Sequence, residues 1–300
     1  MAKPAAPTPG LLIAKLLACS VLWASGFLFI KLAGSLNPFV IAAMRGLIGF
    51  LALSVFFLVQ GWSLLPRGRE WRDWVILGTS NGWGPNVLVA YALTQITAAS
   101  AAMIQAAAPL IVALVSHLMF REERLTVRRF IGVLVGFVGM GVLVGPAALP
   151  DSGVSATGAL AMVATAVSYA VGNIYARAAE TADPARLALG QQIFSAIPAT
   201  ALALVLAGPG AFAPVPEHAP ALLGLGIAAT AIPIVLFMQL IRSAGPTRAA
   251  MVGYLMPVWT AVLAILFLGE RVGLRELLGG AVVLAGVALV SFSVRSQPAR

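Results

Sequence analysis

The chain is poor in charge: only 10% of its 300 residues are Asp, Glu, Lys or Arg, against 60% hydrophobic, where a soluble domain carries ~25% charged and ~45–50% apolar residues. No water-soluble core of this length buries so much apolar surface, which excludes an ordinary globular protein. A single cysteine, Cys19, excludes an internal disulfide and any thiolate metal cluster. Leu16-Leu17-Ala18-Cys19 has the outline of a lipoprotein cleavage box, but Lys15 interrupts the apolar stretch that such a signal needs. Acidic residues number ten, and each falls in a loop or at the end of an apolar run. A buried ionisable group is the usual mark of a proton relay or cation site in a membrane, so this absence argues against proton-coupled export of cationic drugs. Of the two histidines, His117 is the one expected inside a helix, and His218 falls in a loop beside Glu217.

What is present is long apolar runs, with a mean hydropathy of +0.98. A spanning helix needs roughly 20 mostly apolar residues, and inside hydrocarbon the backbone must satisfy its own hydrogen bonds, which leaves helices or closed barrels. Charges, Pro and Gly divide the sequence into ten helices: Leu11 to Ala33, Pro38 to Gln60, Trp71 to Leu93, Ala98 to Phe120, Thr126 to Gly145, Ala156 to Ala179, Pro184 to Ala207, Ala219 to Ile241, Thr247 to Leu268 and Leu274 to Val294. The expected fold is an all-α membrane protein. Residues 1–10 read as a cytoplasmic tail, 11–150 as one five-helix repeat and 151–300 as a second, inverted one.

The net charge of +9 does not point to nucleic acid, because the basic residues sit in short loops and not on one face. With the N-terminus inside, the inner loops and tails hold Arg67, Arg69, Arg72, Arg121, Arg124, Arg128, Arg129, Arg242 and Arg248 among others, and the outer side keeps Lys31, Arg271 and Arg275. That asymmetry places both termini in the cytoplasm. Arg in excess of Lys, with abundant Ala, fits a bacterial inner membrane.

The two halves repeat residue by residue. A shift of 146 pairs Trp23 with Tyr169, Lys31 with Arg177, Pro38 with Pro184 and Arg45 with Gln191. A shift of 148 pairs Gly78 with Gly226, Pro85 with Pro233, Met103 with Met251 and Pro109 with Pro257. Glu123-Arg124 with Glu270-Arg271, Gly132 with Gly279, and Gly139 with Gly286 match at 147. Five helices per unit is an odd number, so the second unit enters the membrane in the opposite sense. Inverted repeats of this kind mark many secondary transporters, because two similar halves facing opposite ways can open alternately to either side.

Trp23-x3-Phe27-x3-Lys31, then Pro38 and Arg45, and the run from Pro257 to Gly286 containing Gly269-Glu270-Arg271 resemble the two-repeat domains of the drug/metabolite transporter superfamily, specifically its ten-helix EamA-type members. The resemblance covers almost the whole chain. Within that group the chain is similar to bacterial exporters of aromatic and other neutral amino acids of the YddG type. The resemblance implies a carrier of small molecules, with no cofactor. Small multidrug pumps of the same superfamily depend on an intramembrane glutamate, which this chain lacks.

Substrate in such folds sits near mid-depth where the halves meet. The polar and aromatic residues at that depth are Trp23, Asn81, Trp83, Asn86, Gln105, Thr165, Tyr169 and Tyr254. Thr165, Tyr169 and Asn173 are spaced by four and share a helix face, as do their repeat partners Cys19, Trp23 and Phe27. The two stripes form opposed walls of an uncharged cavity suited to neutral or zwitterionic substrates. Arg45, about 10 Å from the outer helix end at 1.5 Å per residue, is expected to snorkel outward. Pro85 and Pro233 each remove a backbone donor and are expected to act as hinges. The alternative is that these polar groups are interhelical packing. A remote reading comes from Gly78-Thr79-Ser80-Asn81-Gly82, which has the Gly-x-Ser-x-Gly outline of a serine hydrolase, but no triad acid lies in the membrane. Gly132-x3-Gly136, Gly141-x3-Gly145 and Ala281-x3-Ala285 permit close helix approach; they are read as internal scaffold of a monomer, with a dimer face as the alternative.

Overall fold

The computed structural model describes residues 9–108, 110, 111, 114, 126–144, 155–178, 183–244 and 251–291, and among them no strand occurs. Helix α1 is Pro9–Leu32 and α2 is Pro38–Val59. Helix α3 is composite, running from Glu70–Leu77 through a π-helical segment Gly78–Trp83 into Gly84–Gln95. Helix α4 opens with Ala98–Gln105, α5 is Val127–Val144 and α6 is Ala156–Ala178. Helix α7 is Pro184–Leu202 extended by a π-helical turn, Ala203–Ala207. Helix α8 is again composite: Ala219–Leu223, π-helical Gly224–Ala231, then Ile232–Ala244. Helices α9, Met251–Leu268, and α10, Leu274–Ser291, complete the series. Among the described residues five helices are long and apolar enough to cross a membrane by themselves. His117 and Glu123 lie outside the described residues.

Chemistry at the helix starts displays the inversion. The Asn37 side chain accepts from the Phe39 N–H at 2.9 Å ahead of Pro38, and Asp183 does the same for Ala185 at 2.9 Å ahead of Pro184. Both are N-caps followed by the one residue that needs no donor there. These repeat-related caps sit at opposite ends of the bundle. At the Asn37 end, Ser35 bonds His218 at 2.7 Å and Ser155 donates to Gln95 at 3.2 Å. Gly269 adopts φ +63°, and the turn it permits is followed by Glu270, whose carboxylate accepts from the Ala98 and Ala99 N–H groups at 2.9 and 3.3 Å. A negative charge at a helix N-terminus is favourable, and this one ties the α9–α10 loop to the first repeat.

At the Asp183 end, Arg186 of α7 makes a bidentate pair with Glu70 at 2.7–3.1 Å and donates to the Ser63 and Leu65 carbonyls at 3.0 and 2.6 Å. Its guanidinium lies 5.8 Å from the Trp74 ring centre. The Arg186 partnership holds the Glu70 carboxyl below its ordinary range. Tyr175 donates to Asp73 at 2.6 Å, and Lys15 to Gln239 at 3.0 Å. The described loops and helix ends therefore sort between two ends, as alternating crossings require.

Packing couples the repeats more than it fills each one. The α5–α10 and α2–α7 pairs form the largest helix contacts, with α1 against α8 and α9 and α3 against α6. Glycine sets the distance. A Cβ on Gly139 would lie 2.9 Å from the Gly279 carbonyl and 2.6 Å from Val283 N; one on Gly286 would lie 2.6 Å from the Gly132 carbonyl. Two glycine pairs matched by sequence thus meet crosswise, as a two-fold relation between repeats demands.

Replacing Gly286 by Leu drives a side chain into backbone and is expected to lower the melting temperature of the detergent-solubilised protein by several degrees or abolish a monodisperse peak, the usual scale of overpacking being ~1–3 kcal/mol or more. Gly141→Leu, where a Cβ meets nothing within 4 Å, serves as the control and is expected to behave as wild type in a thermal-shift assay.

Candidate substrate cavity

The π segments build the site. Helix α3 departs from helical geometry at Gly82 (φ −112°, ψ −112°) and resumes at Gly84. Pro85 stands in the first turn of the resumed helix, where its missing N–H leaves no gap in front of it but deprives the carbonyls four and five residues back. Those carbonyls are taken from across the repeat boundary: Gln191 Nε2 of α7 donates to Asn81 O at 3.2 Å and Ser168 Oγ of α6 to Ser80 O at 2.7 Å. In α8 the π segment Gly224–Ala231 ends two residues before Pro233, as Gly78–Trp83 ends two before Pro85. There the Thr230 hydroxyl donates to the Leu225 carbonyl at 2.8 Å, and the Cys19 thiol to the Pro233 carbonyl at 3.4 Å. The two prolines thus mark homologous breaks.

Small residues admit the neighbours. A Cβ on Gly172 would fall 2.0 Å from Asn81 Oδ1, and one on Gly82 2.8 Å from Ser195 Cβ. A Cβ on Gly226 would fall 2.5 Å from Ile48, and one on Gly46 2.9 Å from the Ala196 backbone. The breaks and close approaches enclose a cavity of about 670 Å³, within the ~300–1,000 Å³ of small-molecule sites.

Seven of the ten candidate site residues line it: Trp23, Phe27, Asn81, Asn86, Gln105, Tyr169 and Asn173. Trp23 and Tyr169, and Phe27 and Asn173, are the repeat pairs of the two stripes. Trp23 stacks tilted on Phe237 with ring centres 5.0 Å apart. Asn81 Nδ2 approaches Asn173 Oδ1 at 3.5 Å, and Asn86 Nδ2 reaches Ser195 Oγ at 3.4 Å. Trp83 and Thr165 are placed elsewhere. Trp83 turns to the Val40, Ala43 and Ala199 cluster, its Nε1 donating to Thr79 Oγ1 at 3.3 Å. Thr165 is fully buried, its hydroxyl donating to the Ala161 carbonyl at 2.9 Å. The side chain of Tyr254 lies outside the described residues. Ser80 donates to the Ile76 carbonyl at 2.8 Å, an ordinary helical back-bond.

The cavity departs from expectation in its charge. Arg45 does not snorkel outward; it lines the cavity, half-buried, and its Nε donates to Thr230 Oγ1 at 3.1 Å. The reason lies in helix α8, whose widened turn offers Thr230 within reach, while Gly46 and Gly49 let α2 come close to α7 and α8. Gln191, Gln192 and Thr230 also line the site. Composition gave no signal for Arg45, but its repeat partner Gln191 lines the cavity too, as the matched pairs Trp23–Tyr169 and Phe27–Asn173 do. Repeat pairing was the available signal.

An all-helical bundle of two opposed five-helix repeats around a central cavity is the architecture of a membrane carrier. The chain belongs to the EamA-like transporter family, whose model matches residues 9–145 and again residues 156–292. It is 30% identical over 282 residues to an uncharacterized transporter of Archaeoglobus fulgidus, covering 90% of this chain and 94% of that protein. It is 24% identical over 265 residues to a WAT1-related chloroplastic protein of Arabidopsis thaliana, covering 85% of this chain and 63% of the longer plant protein. A solved crystal structure shares the fold, with a TM-score of 0.68 at 21% identity over 96% of this chain and 99% of its own.

Gln191→Ala removes the donor to the Asn81 carbonyl. An unpaired buried acceptor costs about 1–3 kcal/mol, so a lower melting temperature is expected, with Gln191→Glu, an acceptor-only side chain when ionised, at least as harmful.

Proposed function

We propose that this transporter exports small neutral or zwitterionic metabolites, foremost amino acids with aromatic or apolar side chains, by alternating access of its two halves around the central cavity. The observation that carries this reading is the lining: Trp23, Phe27, Tyr169 and Phe237 supply apolar and aromatic surface, Asn81, Asn86, Gln105 and Asn173 supply amides, and no Asp or Glu is among the described lining residues. Such a surface offers van der Waals contact to an apolar side chain and hydrogen bonds to its polar end. Without a carboxylate it offers no counter-charge to a cationic drug. The paired breaks in α3 and α8 give each half a deformable point at the same depth, which supports a rocking motion. We place the chain in a bacterial inner membrane as a monomer with the Asp183 end facing the cytoplasm, following the distribution of basic loops.

Uptake by proteoliposomes of radiolabelled phenylalanine, leucine, a nucleoside, a sugar and a cationic dye, with and without a pH gradient, tests the reading. Amino-acid uptake above protein-free liposomes is expected, lowered about tenfold by Trp23→Ala or Tyr169→Ala, the loss of ~1.4 kcal/mol of binding, while both variants still purify as folded protein. Transport of the dye alone would assign the protein to drug export, and unaltered kinetics in both variants would remove the site.

A further inference from the structure

We propose that Arg45 is the specificity-determining residue of the cavity, selecting substrates that carry a carboxylate; the inference rests on the reading of this cavity as the transport site.

Among the described residues Arg45 is the sole charged one lining the cavity. Its Nε is fixed on Thr230 Oγ1 at 3.1 Å, and Thr230 is itself fixed, its hydrogen donated to the Leu225 carbonyl at 2.8 Å. The Thr230 hydroxyl has one hydrogen, so it can only accept from the guanidinium. That chain, from π-turn carbonyl to hydroxyl to Nε, uses one edge of a planar five-donor group. Among the described residues the two terminal nitrogens of Arg45 make no hydrogen bond. Their planar geometry matches the two oxygens of a carboxylate.

Electrostatics strengthens the assignment. A cation held in a low-dielectric bundle is costly unless an opposite charge neutralises it, and among the described residues lining the cavity there is none. Asp73 pairs with Tyr175, Glu70 with Arg186, and Glu270 with the α4 N-terminus. A guest carboxylate supplies the missing charge, and a guest cation meets repulsion. Tyr169 lines the same cavity, and its phenol offers a second donor to a carboxylate bound there. The cavity thus combines one fixed positive group with an aromatic and amide surface. That set fits an amino acid or a simple aromatic acid, and it disfavours nucleosides, sugars and cationic drugs, none of which carries a carboxylate.

The full-length protein in proteoliposomes is assayed for radiolabelled phenylalanine uptake in competition with 3-phenylpropionate, which keeps the carboxylate, and with phenylalaninamide, which lacks it. The acid is expected to compete at a concentration about tenfold lower or more, the scale of a charge-assisted bidentate pair. Arg45→Gln is expected to collapse that preference to about twofold or less, and Arg45→Lys to retain part of it. Thr230→Val, which keeps the arginine and frees its Nε, is expected to weaken the preference several-fold, and it carries the test should Arg45→Gln fail to fold. Equal competition by acid and amide in the wild type, or a preference unchanged in Arg45→Gln and Thr230→Val, overturns the inference while leaving amino-acid transport intact. Should phenylalanine not be transported, the same compounds are compared by thermal shift on the purified protein. Stabilisation by the acid that Arg45→Gln abolishes then upholds Arg45 selection while the amino-acid reading fails; no acid-specific stabilisation overturns both.

Discussion

A backbone carbonyl freed inside a bilayer has no water to turn to, and leaving it bare costs several kcal/mol. Pro85 frees such groups in α3, and their partners come from the other repeat, Gln191 and Ser168. This constraint organises the centre of the molecule. It fixes α6 and α7 against α3, requires glycine at positions 82 and 172 so that the chains come close enough to bond, and places amide side chains along the cavity wall.

The same break recurs in α8 before Pro233, where Thr230 takes a carbonyl of its own helix and presents its hydroxyl oxygen to Arg45. Duplication thus produced equivalent helix breaks and unequal occupants. On one side the wall is Asn81 and Gln191; on the other it is Thr230 and Arg45. Away from this layer the interface is closed by shape, through the crossed glycines of α5 and α10, and by polar ties at the two ends, Glu270 on α4 at one and Arg186 on Glu70 at the other. The middle of the molecule is thus built from helix breaks and polar groups, set between a close-packed glycine seam and two tied ends.

Much of this was legible in the residues. Asn37-Pro38 and Asp183-Pro184 marked helix starts, runs of about twenty apolar residues marked the spans, and offsets of 146 to 148 marked the duplication. Stripe positions followed from helical spacing, which is why Trp23, Phe27, Tyr169 and Asn173 were found together. Trp83 and Thr165 show where depth is insufficient: both sit at the right level, but the π turn rotates Trp83 out of the cavity, and Thr165 faces its own backbone. Arg45 shows the opposite failure. An arginine two turns from a helix end is ordinarily drawn to the interface, and only the tertiary approach of α8 through Gly226 and Gly49 reveals a polar partner inward. The π segments themselves depend on packing as much as on sequence, so Gly and Pro announced an irregularity without its form.

The central claim is that two oppositely inserted halves share one interior, and side-specific labelling tests it most directly. In a background carrying Cys19→Ala, single cysteines introduced as Ser35→Cys, His218→Cys, Ser63→Cys and Glu70→Cys are probed in intact cells and in inverted vesicles with a membrane-impermeant maleimide. The structure predicts that Ser35→Cys and His218→Cys label from one side, and Ser63→Cys and Glu70→Cys only from the other. Labelling of Ser35→Cys and His218→Cys from opposite sides would contradict it.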